Sequence, residues 1–364
     1  MAHEIRIIGN RADIAYAGET PWHGLGQQLD PSADMTTWAE AAGFNFEIEN
    51  VPALYMSNDG LLRAYPNRRT LLRSDTKEAL SIVSSGYKVV QPAEVLDFFK
   101  DVIATGGYQM DVAGVLFNGA RYWALAKVND GFELAGGDKI APYLLLATGC
   151  DLQLATTGML TWLRTVCNNT IQMNLVNAEG GRIKRHLKIP HSRQFDPEEL
   201  KRELGLVETS IEDSARKIQQ FSDRRLSDRE ALAFFATILR TEKEKEQLMA
   251  DLLVGAASQE QDNIVESLLN GDFTKTTEER EAEVLLQGSD KRTVQAMYQL
   301  YNGNGMGSQM ESSAGTLWGA INAVTEQIDH HRNSHSTDTR LNNAWFGNGA
   351  NLKEKAWEAA VGMI

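Results

Sequence analysis

The sequence predicts an α+β fold. Its front half reads as a mixed or antiparallel sheet with a long β-hairpin and packed helices, and its back half is helical. Three observations predict this. Strand-like alternation and turn signals recur through residues 44–195, with one clear helix among them. Asn118-Gly119 stands between two such runs, and Asn-Gly is the strongest short-range hairpin signal. From Asp196 onward the apolar spacing turns helical and capping residues appear.

Residues 1–43 read as an irregular N-terminal segment, because "AYAGETPWHGLGQQLDPSADMT" is rich in turn formers. Within it "TTWAEAAGF" is a short helix stopped by Gly43. Residues 44–195 form the sheet core. "FNFEIENVPALYM" alternates as a strand, Asn58-Asp59-Gly60 signals a turn, and "LLRAYPNRRTLLR" continues the meander. "SSGYKVVQ" reads as a further strand. "PAEVLDFFKDVIATGG" is a helix: Pro92 sits in its first turn, Val95, Phe98, Phe99 and Val102 make one stripe, and two glycines end it.

Closing the Asn118-Gly119 hairpin sets Phe117 beside Ala120, Leu116 opposite Arg121, and Gly114 opposite Trp123, an aromatic covering a glycine. "DKIAPYLLLATGCD" is a buried strand, and Pro142 places its start on a sheet edge. "GMLTWLRTVCNNTIQMNL" reads as a helix with Leu160, Leu163, Val166 and Cys167 inward, and "GRIKRHLKIPHS" as a short basic strand or loop. Residues 196–300 are an acidic helical region. Leu200, Leu204, Val207, Ile211 and Ile218 form a stripe there, and Ser227 with Glu230 makes a capping box. Residues 301–364 hold a glycine-rich connector, "YNGNGMGSQMESSAGT", and C-terminal helices in "LWGAINAVTEQIDHHR" and "NLKEKAWEAAVGM".

A hydrophobic content of 42% and a charged content of 23% fit a globular protein. No apolar run of about eighteen residues predicts a membrane span. The start "MAHEIRIIGN" lacks a signal-peptide pattern, and two cysteines without a Cys-x-x-Cys pair fit a reducing cytoplasm. The net charge of −13 opposes indiscriminate nucleic-acid binding. It is unevenly placed: residues 1–195 carry 18 Lys and Arg against 20 Asp and Glu, and residues 196–364 carry 18 against 29. The front half is therefore nearly neutral with local basic clusters, and the back half is acidic.

Those clusters are the first candidate site. Arg121, Trp123 and Lys127 share one hairpin face, with Tyr122 on the other. Arg68, Arg69 and Arg73 cluster upstream with Lys88 after them, Arg164 follows the hairpin, and Arg182, Lys184, Arg185 and Lys188 make a second cluster. A groove for single-stranded nucleic acid needs cations for the backbone and rings for the bases. The competing reading is structural: strand-end cations reach to water, and Trp123 belongs to the core. Asp329, His331 and His335, with His330 beside them, have metal-clamp spacing, against a default of a solvated helix end. "GNGMG" lacks the Lys-Ser/Thr of a phosphate loop, no Gly-x-Ser-x-Gly occurs, and Cys167 on an apolar face reads as inert. No cofactor is expected.

"AYAGETPWHGLGQQL", "TVCNNTIQMNL", "LWGAINAVTEQIDHHR" and "RLNNAWFGNGA" together resemble the phage/plasmid-like protein family of bacteriophages and mobile elements, across nearly the whole chain. That resemblance implies a cytoplasmic protein of a bacterial host cell and supplies no activity. More distantly, the element order from Lys88 to Leu175 is similar to the core of Rad-fifty-two-type single-strand annealing proteins, with "GYKVVQPAEVLDFF" as the helix entering the sheet and "VAGVLFNGARYWALAKV" as the long hairpin. This second resemblance implies a non-enzymatic protein that binds single-stranded DNA through Arg121 and Lys127, with Arg164 and residues 182–188 outlying. It implies a homo-oligomer, a ring in that family, and recruitment of a single-strand-binding protein or exonuclease. Two other function classes stand beside it: a module that sequesters a host protein, and a metal-dependent nuclease or hydrolase.

Overall fold

The structure is a computed structural model and describes residues 7–8, 11–18, 26–164, 169–171, 175–176, 182–183, 186–205, 208–239, 289–332 and 337–364. The fold is α+β. In chain order the front half contains β1 (Ile14–Tyr16), β2 (Gln27–Gln28), α1 (Met35–Ala42), β3 (Ile48–Met56), β4 (Leu62–Arg73), β5 (Ala79–Ser84) and α2 (Pro92–Gly106). There follow β6 (Gln109–Leu116), β7 (Arg121–Lys127), β8 (Phe132–Leu134), β9 (Asp138–Gly149), β10 (Thr156–Arg164), β11 (Asn169–Ile171) and β12 (His186–Ile189). The back half contributes α3 (Pro197–Gly205), α4 (Glu208–Asp223), α5 (Asp228–Ile238), α6 (Ser289–Gln299), α7 (Leu317–Glu326), α8 (Thr337–Phe346) and α9 (Asn348–Val361).

The large sheet has nine strands, ordered β11-β10-β9-β7-β6-β1-β2, with β8 also on β9 and β12 also on β10. Its pairs are antiparallel except β1 with β2. β3, β4 and β5 form a separate meander. Local signals explain the elements. α1 begins at Asp34, whose side chain caps Thr37, and stops at Gly43 with a left-handed φ of 78°. α5 carries the Ser227–Glu230 capping box. The β6–β7 turn has φ 56° at Asn118 and 92° at Gly119, and Ala120 N–H bonds the Phe117 carbonyl at 3.0 Å. Asn118 and Gly119 take the left-handed backbone that Asn-Gly favours, and the register pairs Leu116 with Arg121 and Gly114 with Trp123, as the sequence predicts; Phe117 is left-handed too, with a φ of 51°, so the connection has four residues and Phe117 does not join the ladder opposite Ala120.

The large sheet is covered on both faces. One face, carrying Trp123, Leu125, Tyr143, Leu145 and Met159, packs on the back-half helices through Phe221, Phe234, Trp318 and Trp357. The other, carrying Ala113, Val115, Tyr122, Ala124, Leu144 and Leu146, packs on α1, α2 and the meander through Trp38, Phe98, Phe99 and Leu71. Two-sided burial explains why β7 and β9 are apolar at nearly every position, a pattern usual for parallel sheets. Each large side chain removed from water contributes roughly 1.5–3 kcal/mol. The back-half helices thus share a core with the sheet.

Four parts of the sequence reading differ. The N-terminal segment read as irregular supplies strands β1 and β2 of the large sheet. "GMLTWLR" is strand β10, because a strand buried on both faces needs no alternation and reads like an apolar helix. The strand near Tyr87 lies earlier, at Ala79–Ser84, with a turn at Ser85-Gly86. Pro142 sits in a central strand between β7 and β10, not on an edge. Its carbonyl accepts from Val128 N–H at 2.9 Å just past the end of β7, so its missing N–H faces the side where that ladder has run out.

Candidate functional site

The hairpin cations and rings do share a sheet face, and the protein's own helices cover it. Arg121 is 5% exposed. Its Nε donates to Asp151 Oδ2 at 2.7 Å and its Nη2 to Gln153 Oε1 at 3.0 Å, while Nη1 donates to Asn342 on α8. The guanidinium also lies 4.8 Å from the Phe117 ring centre. Trp123 is buried edge-on against Trp345, with ring centres 4.6 Å apart. Tyr122, on the opposite face, donates to the Val90 carbonyl between Phe44 and Phe46, and burial pushes its hydroxyl well above the usual tyrosine range.

Arg164 is fully buried. Its Nε donates to Asp138 Oδ1 at 2.7 Å, and its Nη2 to Ser313 Oγ at 2.7 Å and the Gly307 carbonyl at 3.1 Å. Asp138 Oδ2 accepts from Ser312 Oγ at 2.7 Å and Trp318 Nε1 at 3.1 Å. This ion pair fastens the glycine-rich connector to the sheet end. Arg121, Tyr122, Trp123 and Arg164 are therefore core braces, and a groove for a strand does not form on them. The expectation fails because their partners arrive from α8 and the connector, up to 221 residues away in sequence.

The remaining candidates scatter. Lys127 is partly buried and pairs with Asp130 at 2.7 Å. Lys188 is exposed on β12, opposite Thr157. Arg68 is exposed on β4, and the neighbouring Arg69 donates to Asn50 Oδ1 at 2.7 Å. Lys184, Arg185 and residues 21–25 of the Pro-Trp-His-Gly-Leu-Gly stretch lie outside the described residues, as do His335 and Cys167. The metal candidate loses its carboxylate, because Asp329 is buried in an ion pair with Lys353. His331 Nε2 lies 3.4 Å from Glu326 Oε1. Among the described residues no cluster of three or more His, Cys, Asp or Glu could hold a metal.

Arg73, which the sequence places with Arg68 and Arg69 in a basic cluster, is instead 1% exposed, and its guanidinium lies 3.8 Å from the Phe46 ring centre. It donates to the Asn118 carbonyl at 3.0 Å and to Asp75 at 2.8 and 3.0 Å, tying the meander to the hairpin turn. A Cβ on Gly119 would collide with it. The Arg73 hydrogen bonds hold the Asp75 carboxyl down at about 2.

Sequence reasoning missed the exposed arm. β3 and β4 run past the large sheet, and their ladder is interrupted between Pro52 and Leu54. Beyond that break Leu54 (55% exposed), Met56 (73%) and Leu62 (63%) share one face, the last two being ladder partners. Tyr55 pairs with Arg63 on the other face, and Tyr65 joins them with its ring centre 6.0 Å from Tyr55. Leu61 at the tip and Ile82 on β5 are exposed too. The signal was available: apolar residues at consecutive positions in "ALYM" and "GLL" give a two-stranded ribbon apolar surface on both faces, and among the described residues no layer covers either.

Residues 48–84, the three strands of the meander, carry five Lys and Arg against four Asp and Glu, a net charge of +1 within an acidic chain. Arg63 pairs with Asp59 at 2.6 Å, with both side chains about half exposed. The arm therefore offers two rings, an exposed guanidinium and an apolar back. Among the described residues no helix is long and apolar enough to cross a membrane. No curated protein and no solved structure matches the chain. A family profile matches residues 79–345, and the chain belongs to that family, described as "Domain of unknown function (DUF932)".

Proposed function

We propose that the protein is a non-enzymatic recombination protein of a bacteriophage or mobile element. It acts in the bacterial cytoplasm as a homo-oligomer, binds single-stranded DNA through the β3–β4 arm, and promotes annealing of complementary strands. The observation that carries this reading is the shared face of Tyr55, Arg63 and Tyr65. Rings can stack bases of any sequence, and guanidinium groups neutralise phosphates, which leaves base edges free to pair. Arg68 and the net positive stretch behind the arm extend the favourable field. The origin rests on the resemblance of "TVCNNTIQMNL" and "RLNNAWFGNGA" to the phage/plasmid-like family. Fluorescence anisotropy with a labelled oligonucleotide tests the binding. Affinity falls steeply with salt, and Arg63→Ala weakens it alike for all sequences. Binding that ignores salt removes the reading.

The other face of the same arm favours a second reading, a module that grips a host protein. Leu54, Met56, Leu61 and Leu62 suit an apolar protein surface better than a nucleic acid. Capture of one host protein that Met56→Ser abolishes, with no oligonucleotide binding, supports that reading over the first.

A further inference from the structure

A cavity of about 230 Å³ lies where the β9–β10 turn meets the junction of α8 and α9. Its wall joins distant stretches of chain: Gln153, Thr157, Lys188, Trp345, Phe346 and Asn351. Three stretches of this wall are braced from behind. Arg121 holds Gln153 at 3.0 Å and also binds Asn342 on α8. Trp123 supports Trp345 edge-on. His191 Nε2 lies 3.1 Å from the carbonyl of Leu154, which also faces the cavity. At the helix junction Gly349 N–H bonds Asn343 Oδ1 at 3.0 Å, and a Cβ on Gly349 would strike the Asn343 backbone. Walls fixed in advance lose little order when a ligand binds.

The lining combines three chemistries. The partly buried Phe346 supplies ring surface beside the edge of the buried Trp345, Gln153 and Asn351 supply amides that both donate and accept, and the exposed Lys188 supplies a cation. We infer that this cavity binds a planar ring carrying one anionic group, of the mononucleotide class. The ring lies against Phe346 at the edge of Trp345, with its own edge toward the amides, and the phosphate meets Lys188. The volume equals roughly eight waters at ~30 Å³ each, room for one base with its sugar-phosphate toward the opening and too little for two bases. This ligand is either a free mononucleotide or the terminal nucleotide of a strand. The inference does not depend on the arm.

Calorimetric titration of the full chain with dTMP, dAMP and thymidine tests it. The expected result is saturable binding of a mononucleotide, weakened about tenfold or more for thymidine, which lacks the phosphate. Lys188→Ala and Asn351→Leu each lower mononucleotide affinity by about tenfold or more, and Lys100→Ala, at an exposed lysine on α2, leaves it unchanged. Thymidine oligonucleotides with and without a 5′-phosphate separate the sources. A gain from the phosphate that Lys188→Ala removes assigns the strand end; equal binding of both, with dTMP still bound, assigns the free mononucleotide. Absence of saturable mononucleotide binding overturns the inference, and so does a Lys188→Ala protein that binds dTMP like the wild type.

Discussion

Arg121→Ala separates a core brace from a binding residue. The side chain is 5% exposed and makes three hydrogen bonds, one of them charge-assisted to Asp151, whose side chain is 18% exposed. A hydrogen bond to a charged group is worth about 1.5–3 kcal/mol, and breaking a buried pair by removing one partner costs about 3–5 kcal/mol. Asp151 keeps some contact with water, so a loss of about 3–4 kcal/mol is expected for the whole contact set. With urea slopes of about 2–3 kcal/mol/M, the unfolding midpoint falls by roughly 1–2 M. Arg121→Lys recovers little, because an ammonium cannot span Asp151, Gln153 and Asn342 as a planar fork does. Urea titration followed by circular dichroism reads the change. A midpoint equal to wild type refutes the brace, and so does a fully stable variant that has lost oligonucleotide binding.

Arg164→Met strands the Asp138 carboxylate with only Ser312 and Trp318 donating to it, so the melting temperature should drop by an amount equivalent to about 3–5 kcal/mol; an unchanged melt contradicts the buried pair. The Asp75 carboxyl is depressed from 3.8 to about 2 by its hydrogen bonds to Arg73, so its stabilisation is fully present above pH 3.8 and is lost as pH falls toward 2. With the side chain 35% exposed, solvent screening limits the effect to about 1 kcal/mol, and Asp75→Asn should remove that much at neutral pH while flattening the acid limb of the stability curve. Burial pushes the Cys150 thiol up to about 12, so peptide mapping after maleimide treatment at pH 8 should find Cys150 unmodified in the folded protein and labelled after denaturation.

What the sequence made legible was local. Gly43 as a helix stop, Ser227 with Glu230 as a capping box, and the Asn118-Gly119 register depend on residues within one turn of each other, and each appears as expected. Strand β10 was not legible, because "MLTWLR" satisfies helical and two-sided strand spacing alike until its neighbours are known. The roles of Arg121 and Arg164 were hidden for a stronger reason. The same residues read as a basic groove on an open sheet and as braces on a covered one, and only the return of the back half across the sheet decides between them. The arm shows the reverse case: its surplus of apolar positions was visible in "ALYMSNDGLL", but its exposure follows from β3 and β4 outrunning their support.

The central claim is that contact with single-stranded DNA has its place on the β3–β4 arm and not on the β6–β7 hairpin. Its most direct test is oligonucleotide anisotropy at two salt concentrations for the triple change Tyr55→Ala, Arg63→Ala and Tyr65→Ala, with thermal melts alongside. These side chains are all about half exposed, so the melt should stay at the wild-type temperature while affinity falls by about tenfold or more and its salt slope shrinks by about one. Wild-type affinity and salt slope in the folded triple variant would contradict the account.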